Sequence, residues 1–166
     1  MRAMSEPFSH LDESGAARMV DVSKKPVTRR VAEASCRVLL AAETVARLQR
    51  LPKGDAIAVA RLAGIQGAKA TSMLVPLAHP LPLDQVDVQI APTPGGVFIT
   101  SSVVVTARTG AEMEALAACA AAALALYDMV KSVERGAVIT DLRLEQKSGG
   151  ARGAWSRGNA PAGDRR

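Results

Sequence analysis

Acidic side chains stand at both ends of a long alanine-rich stretch that has helical periodicity. Glu114 and Asp128 fall on one stripe of this predicted helix, with Ala118, Ala121 and Ala125 between them at steps of three and four. At about 1.5 Å of rise per residue the two carboxylates are about 21 Å apart, so one small ligand cannot easily contact both. We therefore expect them to serve opposite ends of a long ligand, or sites completed by different subunits.

The small residues of this stripe predict close packing against a second helix or a sheet, within the chain or across a dimer. Glu114 taken alone has a simpler interpretation, because an acid in the first turn of a helix is favoured by the helix dipole. Lys131 lies three positions after Asp128 on the same helical face. The pair is either an exposed ion pair of little energetic value or a coupled acid and base, whose lysine has a lowered pKa if the pair is desolvated.

Two further lysines flank the preceding predicted helix. Lys53 lies in a Pro-Lys-Gly-Asp loop where backbone N–H groups at a helix start and a cation could receive an anion, although a solvated loop lysine is the simpler interpretation. Lys69 is about 24 Å from Lys53 by helical rise. His79 lies in a tight turn between Pro76 and Pro80. Such a turn suits a ligand contact and a satisfied core histidine equally well.

Several other kinds of site are not predicted. No second histidine or cysteine is near His79 in the sequence, so a zinc site is not expected. Cys36 and Cys119 are far apart and lie among apolar residues, which predicts buried thiols. The sequence has no Walker-type phosphate loop, no dinucleotide fingerprint and no serine-nucleophile elbow.

Charge and composition argue against nucleic-acid binding. The net charge of +5 comes from the two ends of the chain, since residues 31–146 have ten basic and eleven acidic side chains. Aromatic residues make up only 2% of the 166 residues, which leaves few rings for stacking bases. The basic ends are therefore interpreted as solubilising. A nucleic-acid-binding module would instead show a steep salt dependence of binding.

The elements that must position these residues follow the order β-α-β-β-α-β. This order predicts an α+β fold with a ferredoxin-like antiparallel sheet and helices on one face. Strands are predicted at 34–41, 86–91, 97–107 and 137–144, and helices at 43–51, at 56–73 after the N-cap Asp55, and from a capping element at 109–112 to about Val133, before Gly136. A turn at 92–96 joins the middle strands.

The domain organisation predicted is a flexible arm over 1–17, one catalytic domain over 18–150 and a flexible basic tail over 151–166. No apolar leader is found at the N-terminus. The longest apolar run, 115–126, is shorter than the roughly 20 residues that a membrane span needs. We expect a soluble cytoplasmic protein.

Six stretches of the chain resemble the MoaC family in sequence, order and spacing. They are MVDVS (19–23), KGDAIAVARLAGIQGAK (53–69), VPLAHPL (75–81), TGAEMEAL (109–116), LYDMVKSV (126–133) and KSGG (147–150). The resemblance runs from about Phe8 to Trp155. Its most specific part is the combination of TGxEMEAL with YDMxK.

This resemblance implies a lyase of molybdenum cofactor biosynthesis with a ferredoxin-like fold. The reaction that it implies converts 3′,8-cyclo-7,8-dihydro-GTP to cyclic pyranopterin monophosphate and releases pyrophosphate. The substrate is then a small molecule whose own triphosphate supplies the leaving group, and no redox cofactor is required. The resemblance also implies a homo-hexamer, a trimer of dimers, with active sites between subunits.

The resemblance assigns roles to positions that match the family motifs. Asp128 matches the catalytic aspartate, and Lys131 and Lys53 match lysines that shuttle protons with it. Lys69 would neutralise triphosphate charge. The substrate-binding segments of the family match Leu77, Ala78, His79, Met113 and Glu114, with Glu112 as a further polar contact.

Two positions depart from the family pattern. Ala78 stands where the family usually has cysteine, and Ala70 stands where it usually has arginine. The first change removes a thiol and the second removes a cation. An alternative function is therefore that of a catalytically impaired homologue that binds a nucleotide or pterin. Since Lys53, Asp128 and Lys131 are all present, an active enzyme is favoured.

Overall fold

Four long strands form an antiparallel sheet, and a short fifth strand extends it. The computed structural model describes residues 10–11, 14–151 and 153–159. The strands are β1 (Thr28–Leu39), β2 (Leu83–Thr93), β3 (Gly96–Ala107), β4 (Val138–Ser148) and β5 (Trp155–Ser156), and the helices are α1 (Ala42–Val45), α2 (Ala56–Lys69), α3 (Thr71–Leu74) and α4 (Glu112–Val130), with single 3-10 turns at Leu48–Arg50 and Arg157–Asn159. The order across the sheet is β2-β3-β1-β4-β5. The predicted α+β, ferredoxin-like order is confirmed.

The alternation of apolar residues along the central strands sets one face of the sheet against the helices. On β3 the buried side chains recur at every second position, as expected for a half-covered sheet. The hydroxyl of Ser101 on this face donates to the carbonyl of Ala115 in α4 at 2.7 Å. Cys36 of β1 donates to the carbonyl of Cys119 in α4 at 3.6 Å. Both cysteines are buried free thiols, as predicted.

Helices α2 and α4 pack directly on each other through small residues. A Cβ atom on Gly67 would lie 2.4 Å from the Cβ of Ala121 and 2.8 Å from the carbonyl oxygen of Ala117, and one on Gly64 would lie 3.1 Å from the carbonyl oxygen of Ala118. The glycines therefore allow the two backbones to approach closely. The predicted packing of the alanine stripe is confirmed, and its partner is a helix of the same chain.

The two long helices are shorter than predicted, for local reasons. The predicted helix over 56–73 ends at Lys69 because the Thr71 hydroxyl bonds back to the carbonyl oxygens of Gly67 and Ala68, and α3 follows as a separate turn. The predicted helix to about Val133 ends at Val130, so Gly136 does not terminate it.

The strand predicted over 34–41 begins at residue 28, since its pairing with β3 continues to that point. Residues 43–51 form only α1 and a 3-10 turn.

The capping element predicted at 109–112 is wrong. Helix α4 starts at Glu112, and Ala111 precedes it with no side-chain cap. The Glu112 carboxylate instead binds Lys147 at 2.9 Å. The helix start predicted at Asp55 is confirmed, because its carboxylate accepts from the N–H groups of Ile57 and Ala58.

Helix α4 has the length and mean hydropathy of a membrane-spanning segment, but half of its apolar window is buried inside the fold. This is the pattern of a core helix. The division into arm, domain and tail remains a prediction: residues 1–9, 12–13, 152 and 160–166 lie outside the described part of the chain.

Candidate active site

The C-terminal end of α4 carries a compact cluster of one carboxylate and two ammonium groups. Asp128 Oδ1 lies 2.6 Å from Lys131 Nζ, and Asp128 Oδ2 lies 2.8 Å from Lys53 Nζ. The Lys53 ammonium group also donates to the backbone carbonyl of Asp128 at 2.8 Å. Lys53 reaches this point because the loop before α2 turns sharply at Gly54, which has a φ of 106°. We call these three residues the lysine–aspartate cluster.

The electrostatics of this cluster fix its charges at neutral pH. Hydrogen bonds from Lys131 first and Lys53 second lower the pKa of Asp128 to about 2. The bond to Asp128 raises the pKa of Lys131. About half of the Lys131 and Asp128 side-chain surfaces is exposed, so the pair is not desolvated and the lysine pKa is not lowered. In the isolated chain the cluster holds an ionised carboxylate between cations.

A cavity of about 530 Å³ opens at the other end of α4. The first turn of α4, the turn after α3, the segment before β1 and the end of β4 form its walls. The residues of the predicted substrate-binding set that line it are Leu77, Ala78, His79, Glu112, Met113 and Glu114. They come from two separate stretches of sequence, so only the tertiary fold brings them to one cavity.

The acids in the cavity wall differ in their partners. Glu112 is bound by Lys147 from β4 at 2.9 Å. Glu114 is buried, with 4% of its surface exposed. Burial is the main cause that raises its pKa to about 7, and the nearby charge of Glu112 adds to the effect. At neutral pH the cavity therefore holds one paired carboxylate and one carboxyl group that is partly protonated.

His79 joins the cavity wall to the segment that precedes β1. Its Nε2 lies 3.0 Å from the backbone oxygen of Val20. A carbonyl only accepts hydrogen bonds, so Nε2 carries a hydrogen and, in the neutral ring, Nδ1 is the acceptor. Ala78 beside it is half-buried and also lines the cavity. The structure thus gives His79 a protein partner in addition to its place at the cavity.

The predicted site residues fall into two groups, and one residue joins neither. The lysine–aspartate cluster does not line the cavity, from which it is separated by the length of α4. Lys69 is exposed near the cavity end of the α2–α4 pair and does not line the cavity. Within the described ranges, no three His, Cys, Asp or Glu side chains come together as ligands for a metal.

Several cationic residues of the cavity wall were not among the residues predicted from the sequence. They are Lys25, Arg30, Arg108 and Lys147. Three of them belong to the basic ends of the domain, whose charge was interpreted as solubilising. The KSGG stretch (147–150) was a signal for Lys147, because it matches a family motif and contains a cation.

Comparison with known proteins gives one consistent result. The MoaC family model matches residues 19–150. The chain is 56% identical over 152 residues to the cyclic pyranopterin monophosphate synthase of Streptomyces coelicolor, with 90% of this chain and 89% of the relative covered. It is 55% identical over 156 residues to the synthase of the same name from a Nocardioides species (90% and 95% covered) and 52% identical over 152 residues to that of Cereibacter sphaeroides (89% and 96% covered).

Proposed function

Because the chain belongs to the MoaC family, we propose that it is a cyclic pyranopterin monophosphate synthase. It is a lyase of molybdenum cofactor biosynthesis that converts 3′,8-cyclo-7,8-dihydro-GTP to cyclic pyranopterin monophosphate and pyrophosphate, without a redox cofactor. The observation that carries the proposal is the lysine–aspartate cluster, in which Lys53 meets Asp128 across 75 positions of sequence at 2.8 Å. We further propose that the enzyme is soluble and cytoplasmic.

The chemistry of the cluster suits formation of a cyclic phosphate. A hydroxyl oxygen of the substrate attacks the innermost phosphorus and gives up its proton to solvent or to a basic group of the site. The bond from that phosphorus to the next phosphate breaks, and pyrophosphate leaves with added negative charge. Cations close to that oxygen stabilise the developing charge. The raised pKa of Lys131 keeps it protonated, which suits a donor of a proton or of hydrogen bonds. Asp128 holds both ammonium groups in place.

The two groups of residues are too far apart to act on one substrate within one chain. Glu114 and Asp128 are about 21 Å apart by helical rise. We propose that a second copy of the chain brings its lysine–aspartate cluster to the mouth of the cavity, as in a hexamer built as a trimer of dimers. In that arrangement the cavity binds the substrate, and the cluster of the neighbouring copy completes the site at the reacting phosphate.

The alternative, a catalytically impaired homologue, depends on Ala78 and Ala70. Ala78 lies in the cavity wall, away from the lysine–aspartate cluster. Ala70 is the residue that ends α2. Neither residue belongs to the ion pairs of the lysine–aspartate cluster, so both changes leave its three residues in place. This favours the active enzyme.

The direct test is incubation of the purified chain with the cyclised dihydro-GTP substrate. Release of pyrophosphate together with the cyclic phosphate product supports the proposal. Binding without turnover supports the impaired homologue. The absence of both binding and turnover would contradict both proposed functions. The comparison variant is Ala78→Cys. It restores the usual family residue and shows directly what the missing thiol contributes.

The shared site has its own test. Asp128→Asn and Glu114→Ala proteins should each be inactive alone, since each damages a different half of the site. After the two are mixed and allowed to exchange subunits, some sites combine two intact halves, and activity should return to roughly a quarter of the wild-type value for random pairing in a dimer. Mixtures that stay inactive although exchange is complete would contradict a site shared between copies.

A further inference from the structure

Arg30 is held in the cavity wall by two backbone carbonyls of a neighbouring strand. Its Nε donates to the carbonyl of Ala107 at 3.2 Å, and its Nη2 donates to the carbonyl of Arg108 at 3.0 Å. The side chain thus bridges the start of β1 and the end of β3. A guanidinium has five N–H donors in one plane, so two bonds fix its orientation and leave three donors unused by these contacts.

A pair of glycines makes the space in which this guanidinium lies. Gly149 and Gly150 follow β4 with φ values of 89° and 74°, a backbone conformation that favours glycine. A Cβ atom on Gly150 would lie 2.3 Å from Arg30 Nη1 and 2.8 Å from Arg30 Cζ. Any larger residue at this position would displace the guanidinium. The chain therefore has both a restraint and a fitted space for one arginine conformation.

The charge of Arg30 has no carboxylate partner in the described part of the chain. None of the ion pairs found there within 4.0 Å includes it. The neighbouring cation Lys147 is neutralised by Glu112 at 2.9 Å. Since Arg30 is part-buried at a cavity, an unpaired guanidinium that is already oriented is a receptor for an anion.

Two other features reduce the repulsion that an anion would meet. Glu112 is already paired, and the buried Glu114 loses charge because burial raises its pKa to about 7. Lys25 and Arg108 also line the cavity and are exposed. These long exposed side chains contribute attraction without fixed direction, whereas Arg30 supplies a fixed pair of donors.

We propose that Arg30 is a binding residue for a phosphate group of the ligand that occupies this cavity. The guanidinium plane, held by Ala107 and Arg108 and fitted against Gly150, orients that phosphate. This inference rests on the proposed function, because it assigns the cavity a phosphate-bearing substrate. It adds a residue from the start of β1 to a site that otherwise consists of the turn after α3 and the start of α4.

The test uses inorganic tripolyphosphate as the probe and the full chain in calorimetric titrations. Arg30→Gln should weaken binding about ten-fold or more, which is the loss expected for charge-assisted hydrogen bonds. Arg30→Lys keeps the charge without the planar pair of donors and should fall between wild type and Arg30→Gln. The matched control is Arg29→Gln, because Arg29 is exposed and lies one position away on the same strand; it should bind within two-fold of wild type.

Wild-type affinity in Arg30→Gln, an equal loss in Arg29→Gln, or no binding by wild type would each overturn the proposal. If Arg30→Gln does not fold, Arg30→Lys carries the test alone, and full affinity in that variant contradicts a need for the fixed guanidinium.

Turnover of the cyclised dihydro-GTP substrate separates this inference from the proposed function. Arg30→Gln should raise KM more than it lowers kcat. An inactive wild-type chain that binds tripolyphosphate through Arg30 would contradict the proposed function and leave the phosphate-binding residue standing. An active chain whose Arg30→Gln variant has an unchanged KM and unchanged tripolyphosphate affinity would support the proposed function and contradict the role of Arg30.

Discussion

Lys53 Nζ lies 2.8 Å from Asp128 Oδ2 and 2.8 Å from the backbone oxygen of the same residue, across 75 positions of sequence. Two bonds from one ammonium group tie the loop before α2 to the end of α4. They place a second cation beside an aspartate that already binds Lys131. The close approach of α2 and α4 makes this contact possible.

Replacement of Asp128 by asparagine should abolish product formation with little change in the fold. The substitution keeps the size of the side chain and removes the charge that holds Lys53 and Lys131. We expect kcat to fall by a factor of about 10² to 10⁴, the usual range for a lost acid–base or electrostatic group. The measurement is pyrophosphate release, and the exposed Asp87→Asn is the control. Near-wild-type activity would remove Asp128 from the mechanism.

The pKa of Asp128 should respond to each lysine separately. Lys131→Met should raise it toward the usual range by more than Lys53→Met does, because the bond from Lys131 is the larger cause of the lowering. A carbon NMR titration of the carboxylate measures both values. An equal pKa of Asp128 in wild type and in both variants would show that the two lysines do not set the pKa of this carboxylate in solution.

Glu114 should make the protein less stable as pH rises. Burial raises its pKa to about 7 in the folded state, so the folded chain binds more protons than the unfolded chain between about pH 4.5 and pH 7. The stabilising contribution of protonated Glu114 is complete below the pKa of the unfolded state and is lost as pH rises through the pKa of the folded state. Glu114→Gln should remove this pH-dependent loss of stability, which is on the order of 3 kcal/mol at most.

Urea unfolding at several pH values between about 5 and 8 measures this effect. The control is Glu43→Gln, because Glu43 is exposed on α1 and its replacement should leave the pH dependence unchanged. If the free energy of unfolding changes with pH equally in wild type and in Glu114→Gln, Glu114 ionises in the ordinary range.

Contact between α2 and α4 should not tolerate a methyl group at Gly67. A Cβ there would lie 2.4 Å from the Cβ of Ala121 and 2.8 Å from the carbonyl oxygen of Ala117, so the helices would have to separate. We expect Gly67→Ala to lower the free energy of unfolding by about 1 to 3 kcal/mol, although alanine is the better helix former. Separation should also lower kcat, because Lys53 and Asp128 are on opposite sides of this contact.

Gly136→Ala is the matched control for this variant. A Cβ at Gly136 meets nothing within 4 Å and its φ is not positive, so stability and activity should stay close to wild type. Chemical denaturation and turnover measure both variants. A Gly67→Ala protein as stable as Gly136→Ala would show that the helix pair can relax without cost.

The sequence by itself determined the order of the elements and the local part of the site. Alternation and helical periodicity are properties of neighbouring residues, so they predicted the β-α-β-β-α-β order, the alanine stripe on α4 and the Asp128–Lys131 pair. They failed at helix ends, where one hydroxyl at Thr71 or one long-range partner of Glu112 decides the outcome. Such contacts depend on residues that local patterns do not relate.

Only the tertiary structure decided which distant groups meet. It joined Lys53 to Asp128, gave Glu112 its partner Lys147, and brought Arg30 into the cavity wall, where charge counting along the sequence had assigned it to a solubilising end. The reason is that the sheet register and the close α2–α4 contact set these distances, and both result from packing of the whole chain. Spacing along one helix could show that Glu114 and Asp128 cannot share a small ligand; the fold determined what surrounds each of them.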